Sequence, residues 1–202
     1  MILGFGFGMK KTAKNLRNAN ASSGGASFEL RDGRRCTIRG WTEDDAAQLV
    51  SVMPKVTTES DFLAYMPGEF KMTVEQEVEF IRNHHAKSQS WSVLVELDGD
   101  IIAFSGGESQ DRKRYAHHAE FGLAVARDYW GQGLGRKLTE LAIEWGRRIG
   151  LHKIYLRVFD HNIRAIKLYE STGFVEEARL KDDVLRGDGT YGDTIVMVRY
   201  YE

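Results

Sequence analysis

The sequence predicts an α/β domain built on a mixed, mostly antiparallel sheet flanked by helices. Paired stretches that alternate apolar and polar residues flank turn residues, a pattern typical of antiparallel hairpins. A long amphipathic helix pattern also separates two strand-like stretches, and such a crossover joins parallel strands. The chain has 202 residues, of which 42% are hydrophobic, which is enough for one well-buried core and short for two full domains. We therefore expect one folded domain.

The N-terminal segment differs in composition from the rest of the chain. Residues 10–27 are rich in Lys, Asn, Ala, Ser and Gly and show no sustained periodicity. We therefore expect residues 1–27 to form a flexible arm and residues 28–202 to form the folded domain. The apolar opening of the chain lacks a basic n-region and is too short for a membrane span, so we expect neither a signal peptide nor a transmembrane helix.

The first part of the domain shows a hairpin and two helices. An Asp-Gly pair between two alternating stretches is a strong hairpin signal. Thr and Asp residues just before helical patterns favour N-caps, and proline favours a helix end. The predicted boundaries are a turn at Asp32-Gly33, a helix from Thr42 or Asp44 to Met53 that Pro54 ends, a loop over 55–72 and a helix capped by Thr73.

The second part alternates strands with helices. An Asp-Gly-Asp run marks a further hairpin, and apolar residues spaced by three and four mark a helix wide enough to pack on a sheet. The predicted elements are strands at 92–97, 101–106 and 121–126, a helix from Leu134 to Ile149 stopped by Gly150, a strand at 153–159, a helix at 162–172 closed by Gly173, and a terminal hairpin of 174–185 and 191–201.

Charge and cysteine content exclude some functions. The formal net charge of −1 gives no argument for nucleic acid or for an anionic membrane as a partner. Residues 1–35 carry an excess of positive charge, so the remainder is mildly acidic and suits a cationic acceptor. The single cysteine, Cys36, cannot form an internal disulfide, which favours the cytoplasm and a packed thiol rather than a nucleophile.

The run YWGQGLGR at 129–136 lies between a predicted strand and a predicted helix. A glycine-rich turn that opens a helix presents unpaired N–H groups and a partial positive charge, which bind phosphate. A dinucleotide fingerprint would need a third glycine where Arg136 stands, and no P-loop string is present. Either the turn is an ordinary loop, or Gly131, Gly133 and Gly135 let the backbone approach a phosphate beside Arg136.

A second motif follows one strand later. LAVARDYWGQGLGRKLTELAIEWGRRIG is followed by YLRVFDHNIRAIKLYESTGF, and together they resemble the GNAT superfamily of acetyl-CoA-dependent N-acetyltransferases from about Arg35 to the C-terminus. The loop departs from the family pattern at Trp130, where Arg or Gln is usual. The most specific element pairs GQGLGR with an N-x-x-A-x-x-L-Y-x-x-x-G-F string, here Asn162, Ala165, Leu168, Tyr169, Gly173 and Phe174.

The resemblance implies a binding site for acetyl-CoA as co-substrate. It implies that two parallel strands splay apart and that backbone groups of one pair with the pantetheine arm as an added strand would. It also implies that the glycine turn holds the pyrophosphate and that an asparagine bonds the cofactor arm, although the asparagine alone is also explained as an N-cap. The implied cofactor residues are Leu123, Ala124, Val125, Gly131, Gln132, Gly133, Leu134, Gly135, Arg136 and Asn162.

The resemblance also implies two catalytic residues. Tyr169 would donate a proton to the departing CoA thiolate, since a phenol of pKa about 10 is protonated at neutral pH. Glu120 would act as the base that removes a proton from the acceptor ammonium, although a solvated carboxylate at a strand end explains it equally well. Some ribosomal-protein acetyltransferases place a glutamate five residues before the asparagine, and here that residue is Arg157.

His117 and His118 lie near Glu120 and are candidate metal ligands. Neighbouring residues in a strand point to opposite faces, so His117 and His118 are poorly placed to share an ion, and we expect no metal.

The resemblance places the acceptor pocket between the loop after the first helix and the terminal hairpin. The residues in question are Phe62, Tyr65, Met66 and Glu69 on one side and Arg186, Tyr191 and Asp193 on the other.

The function that follows is transfer of acetyl from acetyl-CoA to a primary amine of a small molecule or amino acid, by direct attack in a ternary complex. Modification of a ribosomal-protein N-terminus and a non-catalytic acyl-CoA-binding regulatory module are the alternatives. A nucleotide-binding protein is a more remote one. We expect a cytoplasmic protein with a small-molecule partner, no nucleic-acid or membrane partner, and a homodimer from family habit.

Overall fold

The computed structural model of the chain describes residues 25–202. The predicted arm lies outside the described residues up to position 24, and the first strand begins at Ala26, two residues before the predicted boundary. Eight strands are described. They are β1 (Ala26–Glu29), β2 (Arg35–Arg39), β3 (Ser90–Leu97), β4 (Asp100–Ser109), β5 (His118–Val125), β6 (Lys153–Phe159), β7 (Val175–Leu185) and β8 (Tyr191–Tyr200).

Four α-helices accompany the strands, and short 3-10 turns precede α1 and follow β5. The helices are α1 (Ala46–Thr58), α2 (Val74–His85), α3 (Leu134–Arg148) and α4 (Ile163–Glu170). The start of α2 is a capping box, in which the Thr73 hydroxyl accepts from the Gln76 N–H and the Gln76 side chain accepts from the Thr73 N–H. The predicted cap at Thr73 is confirmed.

The strands form one sheet in the order β1-β2-β3-β4-β5-β6-β8-β7. Every neighbouring pair is antiparallel except β5 and β6, which are parallel. The predicted mixed, mostly antiparallel sheet is confirmed, and so is the parallel pair joined by a crossover helix. The β3–β4 turn has Asp98 at φ 53° and Gly99 at φ 89°, the left-handed pair that a two-residue hairpin turn requires.

Two apolar cores cover the two faces of the sheet. One core packs α3 and α4 on the sheet, with the Trp91 and Trp145 rings stacked at 6.0 Å. The other packs α1 and α2 on the opposite face through residues such as Leu49, Met53 and Ile81. Within residues 25–202 no helix is both long enough and apolar enough to span a bilayer.

The expectation that Pro54 ends the first helix is wrong. Pro54 lies inside α1, which continues to Thr58. Proline removes one backbone hydrogen bond from a helix and crowds the preceding turn. Here Met53 and Val56, on either side of the proline, are both buried in the core under α1. Burial of these side chains therefore holds the helix together across the proline.

Candidate active site

The parallel strands β5 and β6 separate shortly after they meet. Their register runs from His118 opposite Lys153 to Glu120 opposite Tyr155, and both strands then continue. The edge of β5 from Phe121 to Val125 therefore has no partner among the described strands on its β6 side. The predicted cofactor residues at 123–125 lie in this stretch. Backbone amides at an open edge need partners, and an extended ligand with amides of its own can supply them.

A cleft of about 440 Å³ opens at this gap. The diverging strands, the glycine turn, α4 and the loop after α1 form its walls. The predicted cofactor residues that line it are Leu123, Ala124, Val125, Gly131, Gly133, Leu134, Gly135, Arg136 and Asn162.

The glycine turn has the backbone that its sequence requires. Gly131 and Gly133 adopt φ 86° and 92°, and Gly133 is the N-cap of α3. The first N–H groups of an α-helix have no intrahelical acceptor, so the start of α3 presents donors at the cleft. The Gln132 side chain is placed elsewhere, because its Oε1 accepts from the Asp32 N–H at 3.1 Å.

The turn between β1 and β2 packs against the glycine turn. Besides the bond from Asp32, the Arg34 guanidinium lies 5.2 Å from the centre of the Tyr129 ring. This contact brings Arg31 to the wall of the cleft. Arg31 was not predicted as a site residue, and no local pattern could have found it, because about a hundred residues separate it from the glycine turn.

Two further cations on the cleft wall, Arg164 and Lys167, lie on α4. The Arg164 guanidinium carbon is 5.7 Å from the Trp130 ring centre, and a Cβ on Gly131 would lie 3.6 Å from an Arg164 nitrogen. Arg164 thus reaches across the turn. Helical spacing could have found this pair, because residues three apart lie on the same face of a helix.

Trp130 stands where the GNAT pattern usually has Arg or Gln, and its side chain makes two contacts that hold the loop. Its indole Nε1 donates to the Val125 carbonyl at 2.8 Å, and its ring lies 6.5 Å from that of Phe62. The tryptophan thus ties the glycine turn to the end of β5. The bond also occupies one acceptor position of Val125, whose backbone was predicted to pair with the cofactor.

Tyr169 and Asn162 both line the cleft, as their seven-residue spacing predicts. Tyr169 is 8% exposed, and its ring packs edge-on against Phe121 at 6.4 Å. Burial raises the pKa of its phenol above the usual value of 10.0, so the hydroxyl carries its proton at neutral pH. The Asn162 Oδ1 accepts from the Ala165 N–H at 3.2 Å, so the asparagine does cap α4.

Glu120 lies on the opposite face of the sheet from Tyr169. Side chains alternate along a strand, and Phe121 faces Tyr169, so Glu120 points the other way, as does Arg157 on β6. Glu120 Oε1 is 3.7 Å from Arg157 Nε. Burial and the nearby Glu120 charge raise the pKa of Tyr155 to about 12.

Arg157 belongs to the cleft wall, whereas Glu120 does not. Among the described residues its Nε is buried without a hydrogen-bond partner. An unsatisfied guanidinium nitrogen is costly and is relieved by a carboxylate, which pairs with arginine through two parallel bonds.

The predicted acceptor walls divide between two places. Phe62 lines the cleft and lies 5.3 Å from His161, while Tyr65 packs on Phe70 in a separate cavity under α1 and α2. Glu69 accepts from the Met66 N–H at 2.8 Å, an interaction within its own loop. On the terminal hairpin, Arg186 pairs with Asp160 at 2.8 Å and Asp193 with Lys181 at 2.7 Å.

The expectation that His117 and His118 point apart is wrong. His117 precedes β5, and the two rings lie 4.9 Å apart, nearly perpendicular. Strand alternation therefore does not apply to this pair. In the part of the chain that is described, no group of three or more His, Cys, Asp or Glu side chains could hold a metal.

Comparisons with known proteins agree with this geometry. The sequence profile of the acetyltransferase (GNAT) family matches residues 56–174. The spermidine N(1)-acetyltransferase of Vibrio cholerae is 41% identical over 81 residues, which are 39% of this chain and 46% of that protein. The L-amino acid N-acetyltransferase AaaT of Escherichia coli is 34% identical over 107 residues, 51% of this chain and 64% of that protein. The chain thus spans between about half and two thirds of these relatives.

A solved structure covers more of the chain. The acetyltransferase of GNAT family from Streptococcus pneumoniae superposes with a TM-score of 0.78 at 28% identity. The superposition covers 82% of this chain and 99% of the other.

Proposed function

The chain belongs to the acetyltransferase (GNAT) family, and from this premise we propose that it transfers the acetyl group of acetyl-CoA to a primary amine. The observation that carries the proposal is the gap between β5 and β6. There an open strand edge, a helix start with free N–H donors and a protonated tyrosine line one cleft of about 440 Å³.

The two ends of the cleft suit different parts of acetyl-CoA. The open edge at 123–125 suits the pantetheine amides, and the glycine turn suits the pyrophosphate. Arg31, Arg164 and Lys167 surround the phosphate end with positive charge. Acetyl-CoA supplies a thioester carbon that an amine can attack.

The proposed catalytic groups approach the gap from opposite faces of the sheet. Tyr169, on the face of α3 and α4, would give its proton to the departing sulfur. Glu120, on the face of α1 and α2, would take a proton from the acceptor ammonium, directly or through water. This separation supports direct attack in a ternary complex, because donor and acceptor enter from different sides and no enzyme nucleophile is required.

We propose an amino acid as the acceptor. Glu120 and Arg157 lie 3.7 Å apart on the acceptor face and carry opposite charges. An amino acid carries an ammonium next to a carboxylate, so Glu120 suits the first and Arg157 the second. The relative from Escherichia coli named as an L-amino acid N-acetyltransferase supports this choice.

The residues of the site favour this proposal over the alternatives. A binding module without turnover would not need a buried, protonated Tyr169 at the base of the gap. Some ribosomal-protein acetyltransferases use a glutamate five residues before the asparagine, and in this chain that residue is Arg157. A peptide N-terminus, moreover, has no carboxylate beside its amine to pair with the arginine.

The test is release of CoA thiol from acetyl-CoA, measured with amino acids, polyamines, aminoglycosides and N-terminal peptides as acceptors. We expect turnover with amino acids. In Arg157→Gln, the KM for amino acids should rise by about tenfold or more, the loss of one charge-assisted pair. The KM for the same amines without a carboxylate should change little.

The matched control is Arg147→Gln on the exposed side of α3, which should leave both KM values unchanged. Equal KM changes for acceptors with and without a carboxylate would contradict the role of Arg157. Acetyl-CoA binding with no thiol release on any amine would contradict the activity itself.

Location and assembly complete the proposal. A single buried Cys36, whose pKa is raised by burial, suits a reducing compartment, for which we propose the cytoplasm.

We also propose a homodimer, because β7 is an edge strand that exposes Val175, Leu180 and Leu185. Light scattering that shows monomer alone would remove the dimer.

A further inference from the structure

A second cavity, of about 60 Å³, lies between α1, α2 and the loop that joins them. We call it the Glu77 cavity, since Glu77 on α2 is the one acidic side chain among the described residues that line it. The cavity is separate from the cleft at β5 and β6, because the two share no lining residue. Tyr65, which the resemblance assigns to the acceptor pocket, lines this cavity rather than the cleft.

Glu77 is buried and unpaired. It is 7% exposed, and within residues 25–202 no hydrogen bond or opposite charge offsets its burial. The residues that line the cavity from α1, α2, β4 and the loop include no Lys, Arg or His in the described chain, and Tyr65 is their other titratable group. Burial alone raises the pKa of the Glu77 carboxyl from 4.5 to about 7, so a substantial fraction is ionised near neutral pH.

Five of the other eight described lining residues are aromatic, and Leu49, Met53 and Met72 complete the wall. The Trp41 ring lies 6.5 Å from Phe80 and 6.4 Å from Phe104, while Tyr65 and Phe70 meet edge-to-face at 5.5 Å. The Trp41 indole N–H is already bonded to the Val93 carbonyl at 2.8 Å, which fixes the ring in the wall of the cavity.

The buried Glu77 carboxyl and the aromatic side chains of the wall both favour a cationic ligand. Aromatic faces carry partial negative charge, so they repel a carboxylate and attract a cation. An ammonium group between them would donate hydrogen bonds to Glu77 and meet the ring faces at once. The small volume suits the end of an alkyl chain rather than a whole nucleotide. We propose that the Glu77 cavity binds the terminal ammonium of a primary alkylamine.

The test uses n-propylammonium chloride as the probe and sodium chloride at equal ionic strength as the reference, without acetyl-CoA. The chain has four tryptophans, and their indole N–H signals can be followed by 15N NMR. Trp41 lines the Glu77 cavity and Trp130 lines the cleft, so the two signals report the two sites separately. We expect a saturable shift of the Trp41 signal.

The variant Glu77→Gln should weaken this binding by about tenfold or more, because it removes the charge and keeps the shape. The matched control is Glu79→Gln, an exposed residue on the same helix, which should bind as the parent does. A Trp41 shift that is unchanged in Glu77→Gln, or a shift confined to Trp130, would overturn the proposal.

A measurement on the unaltered chain decides the matter even if Glu77→Gln folds poorly. The carboxylate must be ionised to bind, while the alkylammonium, with a pKa of about 10, stays charged throughout. Affinity at Trp41 should therefore be about tenfold higher at pH 8 than at pH 6. Equal affinity at both pH values would also overturn the proposal. Neither outcome bears on acetyl transfer, which is measured at the other site.

Discussion

At the scale of single residues, position relative to the sheet decides what each group can do. Glu120 and Phe121 are neighbours in sequence, yet their side chains lie on opposite faces of the sheet. Phe121 packs against Tyr169, and Glu120 lies beside Arg157. The resemblance to the family implied roles for Tyr169 and Glu120 without showing this separation. The proposed acid and base therefore serve different substrates across one gap.

Replacing Tyr169 by Phe should lower kcat by about 100-fold, within the range for loss of a general acid, and leave acetyl-CoA affinity nearly unchanged. Steady-state thiol release and calorimetry with acetyl-CoA measure the two quantities. The comparison variant is Tyr115→Phe, an exposed tyrosine in the loop before β5. An undiminished kcat in Tyr169→Phe would remove the tyrosine from the proposed chemistry.

At the scale of elements, the glycine turn shows local sequence and local structure in agreement. Gly131 and Gly133 both need positive φ, which side chains with a Cβ adopt only with strain. The turn also binds elements remote in sequence, through Asp32 on the β1–β2 turn and Arg164 on α4. The element is thus locally encoded, and its surroundings are not.

Replacing Gly133 by Ala should weaken acetyl-CoA binding by about tenfold, because strain on the order of 1–2 kcal/mol would be relieved by moving the N–H donors at the start of α3. Calorimetric titration with acetyl-CoA measures this. Gly99→Ala in the β3–β4 turn carries similar strain at φ 89° with nothing within 4 Å. It should lower thermal stability without changing acetyl-CoA affinity. A similar loss of affinity in both variants would point to general destabilisation.

At the scale of the whole molecule, the sheet separates two cores that enclose different sites. The core under α3 and α4 surrounds the cofactor end of the cleft, and the core under α1 and α2 encloses Glu77. A carboxyl buried without a partner binds its proton more tightly in the folded state than in the unfolded one. Its pKa is about 7 when folded against an ordinary 4.5.

The contribution of Glu77 to the free energy of unfolding should therefore fall as the pH rises from about 4.5 through 7, because the unfolded chain gives up the Glu77 proton first. This fall is on the order of 3 kcal/mol. Urea unfolding at pH 5 and pH 8 should show that Glu77→Gln is more stable relative to the parent at pH 8 than at pH 5. Glu79→Gln should show no such difference, and a parallel pH dependence in the parent and Glu77→Gln would contradict the expectation.

The strands and helices, the hairpins and the parallel pair could be predicted from the sequence, because turn residues, caps and apolar periodicity act over short distances. The exception is α1, where buried Met53 and Val56 carry the helix through Pro54. The family could be predicted from the resemblance of two short motifs. Which distant groups come into contact is seen only in the folded chain. Arg31 reaches the cleft, Arg157 lies beside Glu120, and Glu77 is enclosed without a partner. These contacts depend on how the two cores pack on the sheet, and no local pattern records that packing.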